Sequence, residues 1–126
     1  RLPIQYALTY PERVAADFGR VDFHVCRQLT FEQPDLETFR NLGLAYRAME
    51  QGGNMPCVLN AANEVAVEAF LHRECSFTDM PALIEQVMFA TDFMTHPDID
   101  DYVAADATAR RLAREYLKRL KFKFNR

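Results

Sequence analysis

The chain has 126 residues, 49% of them hydrophobic and 26% charged, with a formal net charge of −3. These values are typical of one soluble globular domain with a sizeable core, and they argue against a disordered chain. No apolar run approaches the roughly 20 residues needed to span a bilayer, so no membrane segment is predicted. The three cysteines, Cys26, Cys57 and Cys75, form no C-x-x-C pair. This argues against a disulfide framework or a zinc site and favours a reducing cytoplasm.

Residues 1–35 are predicted to be an irregular linker with one or two short strands. The chain begins with Arg1 rather than methionine, so we expect it to be a piece of a longer protein. A short helix is predicted for residues 4–10 because Pro11 stops it. Apolar and polar residues alternate in 21–26, which predicts a half-buried strand, and residues 29–32 could form another. Isolated short strands are unstable, so we interpret this linker as the tail end of a neighbouring domain.

From residue 36 onward the apolar spacing becomes helical and predicts four amphipathic helices. The first carries the stripe Phe39, Leu42, Ala45, Tyr46 and Met49 and ends at Gly52-Gly53. The second and third carry the repeats Val58, Ala62, Val65, Ala66 and Ala69, and Met80, Leu83, Ile84, Val87 and Met88. The fourth runs from about Ile99 to Leu120 and uses Tyr102, Ala105, Ala109, Leu112, Tyr116 and Leu120. The predicted fold is therefore mainly α, a four-helix bundle-like domain over residues 36–126.

The starts of the last two helices are marked by polar side chains. Thr78 is the predicted N-cap of the third helix, with Asp79 in its first turn. Asp98, Asp100 and Asp101 lie at the start of the fourth. These three carboxylates could hold Mg²⁺ or Ca²⁺, but they lack the alternating ligands and the glycine of a calcium loop. Their preferred interpretation is negative charge at a helix N-terminus.

The second helix combines apolar residues on two sides with three polar residues between them. Val67 and Leu71 lie opposite its main stripe, which indicates a central helix or a helix pressed against another part of the protein. Asn60, Asn63 and Glu64 are predicted to act structurally, through hydrogen bonds that tie this helix to neighbouring backbone. The alternative is a substrate-binding constellation.

No residue is predicted to be catalytic, cofactor-binding or metal-binding. The chain has no G-x-G-x-x-G motif or P-loop. Ser76 is the only serine and has no setting suited to a nucleophile. The three histidines are scattered along the chain without metal-ligand spacing: His24, His72 and His96.

The end of the chain is basic. From Arg110 onward there are eight basic residues and one acidic residue, Glu115, so this tail has a net charge of +7 and the rest of the chain a net charge of −10. These cations complement the dipole of the last helix. They also leave open an alternative function, a free-standing helical binding module whose tail contacts nucleic acid or an acidic partner. No base-stacking aromatic pattern accompanies the charge, so nucleic acid is the less favoured partner.

The sequence also resembles the late part of 1-deoxy-D-xylulose 5-phosphate reductoisomerases. The most specific segment contains L-N-A-A-N-E and covers residues 58–71. Further segments match in the same order, and together they cover nearly the whole chain up to about Leu120: residues 3–8, 10–13, 21–23, 29–31, 42–48, 77–79 and 106–113. Residues 122–126 have no counterpart.

The resemblance implies a parent enzyme that uses NADPH and Mg²⁺ or Mn²⁺. The family rearranges and reduces 1-deoxy-D-xylulose 5-phosphate to 2-C-methyl-D-erythritol 4-phosphate in non-mevalonate isoprenoid synthesis. The resemblance also implies a homodimer, whose subunits have an N-terminal dinucleotide-binding domain, a central catalytic domain and a C-terminal four-helix domain. The family's metal carboxylates and phosphate-binding serines belong to the central domain and have no match here. The resemblance therefore implies a structural C-terminal domain that is inactive alone.

Overall fold

The computed structural model describes residues 2–124, with side chains described for residues 2–120. It contains five helices, with these bounds: α1 Leu2–Thr9, α2 Arg40–Gln51, α3 Met55–Leu71, α4 Asp79–Ala90 and α5 Ile99–Phe124. The chain divides into two compact units, Arg1–Gln33 and Pro34–Arg126. The mainly helical class is confirmed, and α2 to α5 correspond to the four predicted helices. None of the helices in the described part of the chain is both long and apolar enough to cross a membrane.

The first unit contains α1 and the turns that follow it. Pro3 is tolerated in the first turn of α1, where its missing N–H has no helical partner. The helix ends before Pro11, and the N–H of Glu12 donates to the carbonyl of Thr9 at 2.9 Å. The Arg13 guanidinium lies over the Tyr6 ring, 4.9 Å from its centroid. The short helix predicted for residues 4–10 is therefore confirmed in type and nearly in position.

The short strands predicted for residues 21–26 and 29–32 are wrong for the structure described, because both segments are non-helical and unpaired within residues 2–124. In the first, the Asp22 carboxylate accepts from the N–H of His24 at 2.8 Å. The Asp22 carbonyl also accepts from the N–H groups of Val25 and Cys26. These bonds form a turn of the kind that aspartate favours. Alternation predicts a strand only if another strand takes the outward N–H and C=O groups.

The second unit is built around α3, which contacts α2, α4 and α5. Its core face is rich in small residues, so neighbouring helices can approach closely. Leu112 packs against the edge of the core. Five further residues of the predicted apolar stripes lie in the core itself: Val58, Ala62, Val65, Leu83 and Val87. A fully buried valine or leucine side chain contributes roughly 1.5–3 kcal/mol relative to an exposed one. This cluster is therefore the main source of stability in the second unit.

The apolar stripe that the sequence shows on α2 is not the buried side of that helix. The buried residues of α2 are Leu44 and Ala48, whereas Leu42, Tyr46 and Met49 are exposed. The helix carries two apolar stripes, and only one can face α3 and α4. The smaller pair is buried, because an alanine lets the helix axes come close. The larger residues that dominate the sequence pattern therefore point outward.

Two helices begin with reciprocal side-chain caps. The Ser76 Oγ accepts from the N–H of Asp79 at 3.2 Å, and the Asp79 carboxylate accepts from the N–H of Ser76 at 2.8 Å. This is a capping box, so Ser76 performs the capping predicted for Thr78, whose side chain makes no cap hydrogen bond. At α5 the carboxylates of Asp98 and Asp101 each accept from the other residue's N–H, at 2.9 and 3.1 Å. The same acidic residues also suit the positive end of the helix dipole.

The connection between α2 and α3 is fixed by a buried asparagine. Gly52 and Gly53 both have positive φ, +69° and +54°, and they end α2 as predicted. A Cβ at Gly53 would collide with the Met94 carbonyl oxygen. Asn54 is 0% exposed. Its Nδ2 donates to the Asp92 carbonyl at 2.9 Å, and its Oδ1 accepts from the Met94 N–H at 3.0 Å. One side chain thus anchors the loop between α4 and α5.

Val65→Asp should prevent the second unit from folding. Val65 is 4% exposed in the core, and an unpaired carboxylate there would lose its hydration without gaining a partner. Circular dichroism should show no cooperative thermal transition for this unit. The matched control is Val67→Asp on the same helix, at a position 37% exposed, which should retain the transition. Cooperative melting of Val65→Asp would contradict the core assignment.

Asn54→Ala should destabilise the second unit by detaching the α4–α5 loop. The change leaves the Asp92 carbonyl and the Met94 N–H without their side-chain partner, at about 1–3 kcal/mol for each group that stays buried. Urea unfolding measures the loss, with Gln86→Ala, at an exposed position of α4, as the control. Equal unfolding free energies for the two variants would contradict the anchoring role.

Candidate functional site

The polar residues of α3 form an ion-pair network with α5. Asn60 Nδ2 donates to Glu64 Oε1 at 3.1 Å, one turn along α3. Glu64 Oε2 accepts from Arg110 Nη2 at 2.7 Å across the helix interface. Arg110 also donates from Nε and Nη2 to the Asp106 carboxylate, at 2.7 and 3.1 Å. The network therefore joins residues 46 positions apart in sequence.

The electrostatics of the network follow from placing one guanidinium between two carboxylates. The hydrogen bond from Arg110, followed by that from Asn60, lowers the pKa of Glu64 below its ordinary value. The Asp106 and Glu64 carboxylates raise the pKa of Arg110 further above its already high value. Both groups are therefore charged at neutral pH. The Glu64 side chain is 54% exposed and that of Arg110 29%, so solvent screens the pair.

Two further residues lie near the network or on the same helix. Cys57 Sγ lies 3.6 Å from the Tyr102 carbonyl oxygen, and burial, followed by the Asp106 charge, raises the pKa of the thiol. A raised pKa keeps the thiol protonated and makes it a poor nucleophile. Asn63 is half-buried, and within residues 2–120 its side chain makes no hydrogen bond. The hydrogen-bonding role predicted for Asn63 stays a prediction.

The acidic residues at the start of α5 are engaged in capping. Asp98 and Asp101 bind each other's backbone, and Asp100 lies exposed in the first turn. Over the described part of the chain, no three histidine, cysteine, aspartate or glutamate side chains are grouped to hold a metal ion. The geometry of this segment therefore supports helix capping.

Two arginines at the basic end of the chain are engaged in ion pairs. Arg110 binds Glu64 and Asp106, and Arg111 binds Glu115 at 2.8 Å. The side chains of Arg114, Lys118 and Arg119 are exposed. Those of Lys121, Lys123 and Arg126 lie outside the described residues. Two of the eight cations thus stabilise helices instead of forming an open basic surface.

Asn54 was missed in the sequence pattern, although a signal was present. It follows the helix-stopping pair Gly52-Gly53 and precedes Pro56 at the start of α3, where asparagine is a favoured cap. A cap would direct the side chain to the first turn of α3, and that side-chain bond is absent. Its partners, Asp92 and Met94, lie 38 and 40 residues away. The local sequence pattern could therefore indicate that Asn54 is a structural position, but it could not identify the hydrogen-bond partners of Asn54.

Comparison with known proteins gives a family. The family model described as the DXP reductoisomerase C-terminal domain matches residues 1–112. A 1-deoxy-D-xylulose 5-phosphate reductoisomerase of Bacteroides fragilis is 58% identical over 117 residues, which is 93% of this chain and 30% of that protein. The enzyme of Acetivibrio thermocellus is 50% identical over 118 residues, 94% of this chain and 31% of that protein. The chain therefore spans under a third of the length of these relatives.

Solved structures agree with the sequence relatives. The Zymomonas mobilis reductoisomerase in complex with NADPH superposes with a TM-score of 0.78 and 36% identity, over 92% of this chain and 31% of that one. A DOX-P reductoisomerase in complex with magnesium gives a TM-score of 0.77 at 30% identity, over 94% of this chain and 32% of that one. The matches support the family interpretation and not the alternative of a free-standing binding module. The chain belongs to the DXP reductoisomerase C-terminal domain family.

Proposed function

We propose that this chain is the structural C-terminal part of a 1-deoxy-D-xylulose 5-phosphate reductoisomerase. The parent enzyme would convert that sugar phosphate to 2-C-methyl-D-erythritol 4-phosphate in non-mevalonate isoprenoid synthesis. The single observation that carries the proposal is the 58% identity with a reductoisomerase over 93% of the chain. The chain spans 30% of that relative, so the reaction is assigned to the longer protein.

The proposal assigns NADPH and the metal ion to the part of the parent outside these 126 residues. Related structures were determined with NADPH, or with NADPH, fosmidomycin and magnesium. Among the described residues no three potential ligands are grouped for a metal ion, and the carboxylates of Glu64, Asp98 and Asp106 already bind an arginine or a backbone N–H group. Mg²⁺ or Mn²⁺ and the nicotinamide cofactor would therefore be held by the dinucleotide-binding and catalytic domains. We place the parent in the cytoplasm as a homodimer.

Within that parent, residues 1–35 would be the linker and tail end of the catalytic domain, and residues 36–126 the helical domain. The division of the chain into two compact units, Arg1–Gln33 and Pro34–Arg126, supports a boundary near this position. The second unit suits a structural role, because one hydrophobic core joins its four helices. The proposed partners of the chain are the other domains of the same polypeptide.

The proposed structural role of Asn60 and Glu64 rests on the network that joins α3 to α5. Asn60 orients the Glu64 carboxylate, and Glu64 binds the guanidinium that Asp106 holds from the other side. A planar guanidinium bound by two carboxylates restricts rotation of the helices more than one mobile ion pair would. This role needs no contact with substrate. It differs from the predicted contacts to backbone, because the partners of Asn60 and Glu64 are side chains.

The network should make stability depend on pH in the acidic range. The pKa of Glu64 is lowered on folding from its ordinary value of 4.5, so the unfolded chain binds its proton more readily. The stabilisation is then fully present above about pH 4.5 and is lost as the pH falls through the folded pKa. The melting temperatures of the wild type and Glu64→Gln should differ most above about pH 4.5, and the difference should shrink as the pH is lowered further. A difference that stays constant as the pH is lowered would contradict this origin.

Arg110→Met and its matched control isolate the link between the helices. Arg110 binds α3, whereas the ion pair of Arg111 among residues 2–120 is with Glu115 on its own helix. Arg110→Met should therefore lower the melting temperature more than Arg111→Met. In the full-length protein, neither change should alter the Michaelis constant for the sugar phosphate. A raised Michaelis constant at unchanged melting temperature for Arg110→Met would point to a direct role at the substrate.

The proposed division of labour is tested by comparing the chain with the full-length protein. The purified 126-residue chain should not oxidise NADPH when 1-deoxy-D-xylulose 5-phosphate and Mg²⁺ are supplied. The full-length protein should do so, and omission of the sugar phosphate is its control. The measurement is the loss of NADPH absorbance. Turnover by the 126-residue chain, or none by the full-length protein, would contradict the proposal.

A further inference from the structure

The outward side of α2 carries a regular apolar stripe. Phe39, at the N-cap, and Leu42, Tyr46 and Met49 follow one another at spacings of three, four and three residues. They are 58%, 39%, 45% and 72% exposed. This is the spacing by which one helix presents a seam to another helix, with side chains inserted between those of its neighbour. The opposite side of α2, with Leu44 and Ala48, already contacts the core. The helix thus has a second packing face that nothing in the described chain uses as core.

A groove lies between α2 and α4 in the same unit. Its volume is about 580 Å³, and its lining includes the buried side chains of Leu44, Met55 and Met88. Phe89 and Phe93 also line it and are 89% and 45% exposed. A soluble protein rarely leaves a large contiguous apolar surface in water. Leu44 lies on the side of α2 opposite the stripe, so the groove is a separate apolar recess and does not continue the stripe.

The charges that share a surface recess with Tyr46 of the stripe favour a protein partner over an anionic surface. Arg40 Nη2 and Arg47 Nη1 both bind the Glu85 carboxylate, at 2.6 and 3.0 Å. Glu50, on the same helix, adds a further negative charge near Arg40 and Arg47. The cations are thus matched by carboxylates, whereas a surface for lipid headgroups would carry a clear excess of Lys and Arg. Mixed charge beside an apolar stripe is typical of a protein interface.

We propose that the α2 stripe is covered, in the full-length protein, by an apolar surface of the polypeptide that lies outside these 126 residues. The inference rests on the proposed function, since it takes the chain as part of a longer reductoisomerase. The relatives are more than three times as long as this chain, so most of the protein is available as the occupant. A tethered domain acts at an effective concentration in the millimolar range. A second copy of the chain has no such advantage at ordinary protein concentrations.

Methionine oxidation tests the proposal in the full-length protein. Hydrogen peroxide converts an accessible methionine to its sulfoxide, and peptide mass spectrometry gives the rate at Met49. In the native full-length protein this rate should be at least about tenfold below the rate for the same residue in guanidinium-unfolded protein. Met55, 1% exposed, gives the rate for a buried methionine. Native and unfolded rates at Met49 within about threefold of each other would overturn the proposal.

Two variants check that the protection comes from the stripe. Leu42→Lys combined with Tyr46→Lys should expose Met49 to peroxide while Met55 stays protected, because both substituted positions point away from the core. Val103→Lys, at a position 65% exposed on α5, is the matched control and should leave Met49 protected. Continued protection of Met49 in the double variant would overturn the proposal. Exposure of Met55 together with Met49 would mean that the core had opened, and would also count against a separate docking face.

A dilution series distinguishes the rest of the polypeptide from a second copy. Protection of Met49 should be independent of concentration, even where light scattering shows that the protein has become monomeric. Protection that disappears with dimer dissociation would assign the stripe to a contact between copies and overturn the proposal. None of these measurements uses the sugar phosphate or NADPH. Failure of the proposed reaction would be seen in the turnover assay alone, so the two failures remain distinguishable.

Discussion

The second unit depends on the close packing of three helices around the alanine-rich α3. Ala61, Ala62, Ala66 and Ala69 are almost fully buried, and side chains this small allow helix axes to come near each other. Larger residues of α4, such as Leu83 and Ile84, then fill the space between. The same close approach determines which side of α2 is buried, because Ala48 fits against the core where Tyr46 would not. Burial on α2 is thus set by the size of its residues.

The sequence pattern predicts all four helices of the second unit, and it predicts the buried sides of α3 and α4 well because each has one dominant apolar stripe. On α5 it missed the buried Ala113 and Leu117, and the predicted Tyr102 is 39% exposed. The pattern does not identify the buried side of α2, which has two stripes, because periodicity does not say which stripe a neighbouring helix will cover. It fails for residues 21–26 for a related reason. Alternation reports an amphipathic segment, and the segment becomes a strand only when another strand binds its backbone. In both places the missing information is the identity of the neighbour, which one chain segment cannot contain.

The polar residues illustrate the same limit at the level of single contacts. Asn60 and Glu64 are neighbours on a helix, so their hydrogen bond follows from the spacing. The bond from Glu64 to Arg110 spans 46 residues and depends on the packing of α5 against α3. Asn54 is similar, since local pattern marks a helix start while its partners come from the distant α4–α5 loop. Sequence therefore identifies which polar residues need partners, and the fold supplies them.

Exposed apolar side chains recur in both units of a chain that spans under a third of the length of its relatives. In the first unit Phe23, Val25 and Phe31 are 78%, 82% and 88% exposed, and in the second the α2 stripe faces outward. Apolar area of this kind costs solubility unless another surface removes it from water. The helical core of the second unit is closed, whereas apolar side chains remain at the surface of both units.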